Sequence, residues 1–199
     1  MTDNKNSICT GKPDSECKGC DLSGHLMCRF QKLDLISFLL LFAPYAVLSI
    51  GAMITGGFGW YLTGWLAYAV FFFFVWEAYV LCRHCPYWAE KGIILRCHAN
   101  YSVIKIWKYN PKPMKTSDKV QFIVGGLLLG LYPLPFLIAA SQYLLFSIAL
   151  LLIISFIFHL WKNGCSRCIN FSCPLNHVPK RYVDSFLEKN PIVGREWKQ

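Results

Sequence analysis

Long stretches without charge constrain this chain more than any other feature. Glu77 is the only Asp, Glu, Lys or Arg in residues 35–54, 60–81 and 120–161. A helix needs about 20 apolar residues to cross the roughly 30 Å hydrocarbon core of a bilayer, and the third stretch is long enough for two helices. The sequence predicts an all-α integral membrane protein with four transmembrane helices. They form two tandem hairpins, over residues 34–81 and 120–161.

The composition agrees with this class, since 55% of the 199 residues are hydrophobic and only 16% are charged, whereas a soluble domain has about 25% charged residues. About 30 polar residues precede the first apolar stretch, so we expect no cleaved signal peptide.

The lysines and arginines predict the orientation. Five lie in residues 1–34, eight in residues 82–119 and seven in residues 162–199, while the turns TGGFG and AASQ have none. Cytoplasmic loops carry the excess of Lys and Arg. We therefore expect a multi-pass protein of the cell membrane with both termini in the cytoplasm. Three cytoplasmic, Cys/His-rich segments follow: residues 1–33, 82–119 and 162–199. The net charge of +9 favours anionic lipid headgroups as partners, and we expect no nucleic acid.

All ten cysteines lie in the three predicted cytoplasmic segments. Disulfides do not persist in a reducing cytosol, so Cys-x-x-Cys spacing there indicates metal binding or catalysis. The N-terminal group is Cys17, Cys20, His25 and Cys28. Three thiolates and one imidazole within 12 residues match a tetrahedral zinc site.

Two further groups follow the second and fourth predicted helices. The predicted metal ligands are Cys82, Cys85, Cys97 and His98 in the middle segment, and Cys165, Cys168, Cys173 and His177 in the C-terminal one. Each group could close its own site of three thiolates and one imidazole, or the two Cys-x-x-Cys turns could pool into one four-cysteine centre. The spacing leaves zinc and an iron–sulfur cluster open as the cofactor.

The chain has the pattern of an internal parallel repeat. Each unit is a helical hairpin, a Cys-x-x-Cys, a third cysteine and a short segment that ends in Asn-Pro. Residues 101–111 and 182–191 mix apolar side chains with lysines, which predicts an interfacial helix in each unit. In the third transmembrane helix, Gly126 and Gly130 favour close helix contact, and Pro133 and Pro135 should end or kink the helix.

Glu77 and His159 are the ionisable side chains of the predicted helices, five and six residues before the first cysteine of their units. Buried charges in a membrane usually face the bundle interior in pairs. We expect Glu77 and His159 to pair, and they are our candidate catalytic residues. The pair could carry a proton, contact a quinone headgroup or support a metal ligand. The sequence has no phosphate-binding loop, dinucleotide fingerprint or HExxH. It does not decide whether the protein is an enzyme.

Three functions fit these features. The first is a membrane metal-binding protein that transfers electrons between a cytosolic donor and the membrane, with other membrane or cytosolic redox subunits as partners. The second is a structural subunit of a membrane complex whose loops are held by zinc. The third is a protein that handles or transports soft metal ions.

Overall fold

The computed structural model describes residues 8–11, 17 and 19–198. Of the predicted N-terminal segment 1–33, residues 1–7, 12–16 and 18 lie outside the described residues, as does residue 199. The structure is all-α, with no strand among the residues that it describes. Four helices are long and apolar enough to cross a membrane, which makes this a membrane protein. We name them span 1 (Lys32–Thr55), span 2 (Gly59–His84), span 3 (Thr116–Ala139) and span 4 (Tyr143–Cys165).

The spans are built from six α-helices, and two more helices follow them. In chain order these are α1 (Lys32–Thr55), α2 (Gly59–Phe71), α3 (Glu77–Val80), α4 (Thr116–Leu131), α5 (Leu134–Ala139), α6 (Tyr143–His159), α7 (Lys180–Lys189) and α8 (Pro191–Trp197). A π-helical segment joins α2 to α3 at Phe72–Trp76, and a second, Leu160–Cys165, follows α6. Short 3-10 helices occupy Cys9–Gly11, Cys82–His84 and Pro86–Ala89. Spans 2 and 4 thus each carry a π-helical segment near their cysteines, and such segments frequently occur at functional sites.

The predicted break in span 3 is confirmed, because α4 ends at Leu131 and α5 begins at Leu134. Pro133 has no N–H, so it cannot bond the carbonyl of Leu129 four residues earlier. The indole Nε1 of Trp65 donates to that carbonyl instead, at 2.9 Å. An unpaired backbone group in hydrocarbon costs several kcal/mol. This hydrogen bond therefore supplies the carbonyl of Leu129 with a donor and joins span 2 to span 3.

Large apolar side chains cover the outside of the four spans. Leu33, Trp60 and Leu144 are each more than 70% exposed, which is the surface that a bilayer would cover. The two short connections between neighbouring spans contain Gly57 at φ +82° and Ser141 at φ 58°. They coincide with the predicted turns TGGFG and AASQ.

The three cysteine-containing segments pack together at one end of the spans, which we call the cysteine-bearing end. They share a hydrophobic core that is separate from that of the spans, with Tyr87, Trp88 and Phe186 among its buried residues. Hydrogen bonds connect the segments, since Met27 N donates to Arg167 O at 2.8 Å and the Tyr87 side-chain Oη donates to Met27 O. These segments are therefore one folded unit.

The prediction of an interfacial helix over residues 101–111 is wrong. This segment is not helical and pairs with the chain before it, with Leu95 N donating to Val103 O at 2.8 Å and Lys105 N to Ile93 O at 2.8 Å. The β-branched side chains there favour extended backbone, and Pro111 and Pro113 follow too closely for a stable helix.

The second predicted interfacial segment does contain a helix, α7, but its apolar face lies inside the protein. Phe186 is fully buried and packs against Phe171, with ring centroids 5.2 Å apart. The apolar residues that suggested contact with headgroups instead complete the core of the cysteine-bearing end.

Candidate functional site

Six cysteines from two separate loops line one cavity. These are Cys82, Cys85, Cys97, Cys165, Cys168 and Cys173. They comprise all the cysteines of the middle and C-terminal segments, so both segments contribute their full set. We call this space the six-cysteine cavity. The cysteines of both predicted arrangements, two separate sites or one pooled centre, line this cavity.

Tight turns at the ends of spans 2 and 4 present these cysteines. The 3-10 helix Cys82–His84 closes the first Cys-x-x-Cys, with Cys85 N donating to Cys82 O at 3.0 Å. The π-helical segment of span 4 ends at Cys165, and Arg167 N bonds Gly164 O at 3.1 Å.

The cavity extends from the cysteines into the spans and has a volume of about 250 Å³. Its walls within the spans are aromatic and aliphatic, from side chains of all four spans such as Phe38, Phe73, Phe122 and Phe156. Glu77 is the acidic residue among those that line it. The site therefore has a sulfur-rich end and an apolar end.

Asn100 connects the carboxyl group of Glu77 to the cysteines. Its Nδ2 lies 3.1 Å from Glu77 Oε2, 3.6 Å from Cys82 Sγ and 3.2 Å from the carbonyl oxygen of Phe73. Asn100 is 5% exposed and Glu77 is 7% exposed. A buried carboxyl needs such a donor, because an unpaired polar group in the interior costs roughly 1–3 kcal/mol.

Burial dominates the electrostatics of the thiols. It raises the pKa of Cys85 and of Cys168, and each of these pKa values is raised further by other cysteines of the cavity. Burial likewise raises the pKa of Cys173 to about 12. Metal binding at these positions must therefore displace protons.

Cys97 differs from the other thiols because His98 is its neighbour. Burial raises the pKa of Cys97, but the hydrogen bond and charge of His98 outweigh burial, and the net pKa lies below its ordinary value. The Sγ of Cys97 lies 4.0 Å from His98 Nδ1. His98 also lines the six-cysteine cavity, so this predicted ligand lies beside its predicted partners.

The other two predicted histidine ligands point elsewhere. His177 is exposed and stacks on Trp161, with ring centroids 4.5 Å apart. His25 is exposed and stacks on Tyr182 at 4.6 Å. Neither lines a cavity that contains the cysteines of its group.

Glu77 and His159 are not brought together. Glu77 lines the six-cysteine cavity and bonds Asn100, whereas His159 is exposed and lines a different groove that includes Asp34 and Arg167. The Nδ1 of His159 lies 3.2 Å from Asn163 Nδ2. Of this predicted pair, only Glu77 is positioned for chemistry next to the cysteines.

A second pocket, of about 420 Å³, contains the N-terminal cysteines. It is lined by Cys17, Cys20 and Cys28, as predicted for one site, and also by Cys9. A hydrogen bond from the Cys28 thiol lowers the pKa of Cys9 to about 6. The hydrogen bond from Asn190 and the charge of Arg29 lower it as well. Within the described part of the chain, no three His, Cys, Asp or Glu side chains are grouped tightly enough to hold a single metal ion.

Sequence reasoning missed three buried asparagines, Asn100, Asn170 and Asn190, which are at most 5% exposed. Asn100 contacts Cys82, Asn190 contacts Cys9, and Asn170 donates to the carbonyl of Leu81 at 3.3 Å. Of these three asparagines, only Asn190 had a signal in the sequence, which is the Asn-Pro that ends residues 182–191.

No protein-family model matches the chain, and comparisons with curated proteins and with solved structures found no similar protein.

Proposed function

We propose that this chain is a membrane redox protein of two tandem helical hairpins. A pooled metal centre in the six-cysteine cavity would pass electrons from a cytosolic donor to a lipid-soluble carrier of the quinone class. The observation that carries this proposal is that the six cysteines and the apolar space within the spans belong to one cavity.

The arrangement of the sulfurs supports a polynuclear cluster over a single ion. Zinc holds four sulfurs at about 2.3 Å each, so they lie close together, and no described group of donors is this compact. A cluster of several irons is larger and takes four thiolates. Cys82, Cys85, Cys165 and Cys168 are the four that the two Cys-x-x-Cys turns supply.

The shape and lining of the apolar end support a lipophilic ligand. An engineered apolar cavity of about 150 Å³ binds benzene, and this one, at about 250 Å³, is larger. Its walls offer aromatic rings and few polar groups, which is typical of pockets for planar organic ligands. A monocyclic quinone headgroup matches this size and polarity.

A quinone would need two electrons and two protons to become a quinol. The electrons would come one at a time from the cytosolic donor through the metal centre, and the protons would come from water through Glu77. Glu77 lines the cavity together with the cysteines and the apolar side chains, and Asn100 donates to its carboxyl group. A carboxyl group in an apolar site is suited to proton transfer.

The charge distribution supports a cytoplasmic location for both termini and for the cysteine-bearing end. The donor would then be a soluble reductant or a redox subunit that binds this end. Anionic headgroups would surround it, in keeping with the net charge of +9.

The two alternative functions have less support. A zinc-stapled scaffold needs metal because its loops lack a core, whereas these segments share a core that includes Tyr87 and Phe186. A soft-metal transporter needs ligands along its path, whereas all ten cysteines lie at the ends of the spans or outside them.

The proposal is tested with dithionite-reduced protein in detergent and a short-chain benzoquinone. We expect rapid reoxidation of the centre, which is monitored through its visible absorption. In Gly126→Leu, the new side chain projects into the cavity, because a Cβ at Gly126 meets no atom within 4 Å and Gly126 lines this space. We expect this variant to react at least tenfold more slowly.

Gly51→Leu is the matched control. Gly51 is also helical and open, but it is exposed on the outside of span 1, so its rate should equal that of the parent protein. Equal rates for parent and Gly126→Leu would contradict quinone binding in the cavity.

A further inference from the structure

The second pocket is lined by four cysteines, not by the three cysteines and one histidine that the spacing suggested. Cys9, Cys17, Cys20 and Cys28 surround it. Their spacing is symmetric, with seven residues, then two, then seven between successive cysteines. A Cys-x-x-Cys flanked by one distant cysteine on each side can enclose a metal centre from both sides.

The central Cys-x-x-Cys forms a tight turn. Cys20 N donates to Cys17 O at 3.2 Å, and Ser23 N donates to Cys20 O at 3.0 Å. Gly19 has φ +80°, a conformation that glycine adopts without strain. Leu22, which is 1% exposed, fixes this turn to the core of the cysteine-bearing end.

Cys9 is held in the pocket by a residue 181 positions later in the chain. Its backbone N donates to Asn190 Oδ1 at 2.7 Å, and Asn190 Nδ2 donates to Cys9 Sγ at 3.4 Å. Asn190 is fully buried, and its Nδ2 also bonds Phe186 O at 2.7 Å. Thr10 adds a bond to the carbonyl of Pro86 at 3.4 Å. A hydrogen bond to sulfur from a fixed amide is typical of the groups that orient metal ligands.

Positive charge accompanies these sulfurs. Arg29 Nη2 donates to Cys17 Sγ at 3.3 Å, and Lys189 lines the same pocket while it bonds Asp21 at 2.6 Å. Four thiolates around a divalent centre leave a net negative charge. Cations next to the sulfurs reduce the cost of that charge.

We infer that Cys9, Cys17, Cys20 and Cys28 form a second metal centre with four thiolate ligands, and that His25 is not a ligand. A zinc ion and an iron–sulfur cluster share this ligand chemistry. Because no three described donors are close enough for a single ion, a zinc ion would have to draw the four sulfurs together, whereas a cluster of several irons is larger. The inference does not depend on the proposed function of the six-cysteine cavity, because the two centres share no cysteine.

The test uses the full-length protein, purified in detergent without oxygen, and measures zinc, iron and acid-labile sulfide per chain. Cys9→Ser should lose one centre, and His25→Gln should keep the complement of the parent protein. Loss of zinc alone identifies a zinc site, and loss of iron with equal sulfide identifies a cluster. Full retention in Cys9→Ser, or an equal loss in His25→Gln, would overturn the inference.

A measurement on the parent protein keeps the test independent of how the variants fold. The native chain is alkylated with iodoacetamide before and after chelator treatment, and each cysteine is then assigned by mass spectrometry. We expect Cys9 to be protected together with Cys17, Cys20 and Cys28, and all four to become reactive together when the metal is removed. Rapid labelling of Cys9 while the other three stay protected would contradict the four-thiolate site.

Discussion

At the scale of single residues, buried asparagines support the cysteines. Asn100 and Asn190 each place a side-chain amide against a sulfur, at 3.6 Å and 3.4 Å. An amide that is fixed by burial and by other bonds keeps its N–H directed at the sulfur. Hydrogen bonds to ligand sulfurs are among the factors that set the reduction potential of iron–sulfur centres.

Asn100→Ala should lower the reduction potential of the centre in the six-cysteine cavity. The substitution removes the N–H that stabilises the electron-rich reduced state, and it leaves the carboxyl group of Glu77 without this donor. The free energy of unfolding should also fall, by roughly 1–3 kcal/mol. A redox titration and thermal unfolding measure the two effects.

Asn170→Ala is the matched control for this prediction. Asn170 is equally buried, at 5% exposed, and it also lines the cavity, but its side chain donates to the carbonyl of Leu81 and not to a sulfur. It should lose comparable stability with little change in potential. Equal shifts in potential for the two variants would show that the contact to sulfur has no specific effect.

The grouping of the cysteines as candidate ligands could be predicted from the sequence, whereas the side chains that contact them could not. Ten cysteines in 199 residues are a strong compositional signal, and spacing alone groups them. Cys9 and Asn190 are 181 residues apart, so only the folded chain brings them together. His25 was the nearer candidate along the sequence, but its ring stacks on Tyr182.

At the scale of helices, close contact between spans 2 and 3 depends on Gly125, and the expected role of Gly126 was wrong. A Cβ at Gly125 would lie 2.5 Å from Cε2 of Phe72 and 3.3 Å from Oη of Tyr68, whereas a Cβ at Gly126 would meet nothing within 4 Å. Tyr68 also donates to the carbonyl of Gly125 at 3.0 Å. Of the two predicted glycines, Gly130 does lie at a contact, since a Cβ there would be 3.8 Å from Ile153 of span 4, but the pattern missed Gly125.

Gly125→Ala should destabilise the protein, whereas Gly126→Ala should not. Phe72 is only 3% exposed and has little room to move, and overpacking of this kind costs about 1–3 kcal/mol. At Gly126 an alanine reduces the freedom of the unfolded chain, which stabilises by up to about 1 kcal/mol. Thermal unfolding in detergent, followed by circular dichroism, should separate the two variants. Equal stabilities would contradict the described contact.

The positions of the spans could be predicted because burying a charge in hydrocarbon costs much free energy. A stretch of about 20 residues without charge therefore indicates a transmembrane helix. The structure of residues 101–111 could not be predicted, because the same mixture of apolar residues and lysines suits a short helix or a strand-like segment. Its pairing with residues 93–95 decided the outcome.

At the scale of the whole molecule, the ends of spans 2 and 4 meet at one cavity. Each of these spans carries a π-helical segment and leads to a Cys-x-x-Cys and a third cysteine, and all six cysteines line the same space. A centre shared by both sets of cysteines would couple the packing of the spans to the binding of metal. It would also join the cysteine-bearing end to the apolar interior in one site, as electron transfer into the membrane requires.

The most direct test of this account is the iron, zinc and acid-labile sulfide content of protein purified without oxygen, for the parent chain and for Cys85→Ser and Cys168→Ser. A pooled cluster predicts iron and sulfide in equal amounts in the parent. Each substitution should then remove the same complement, although the two cysteines belong to different loops. Zinc without iron, or a separate partial loss in each variant, would contradict a shared redox centre.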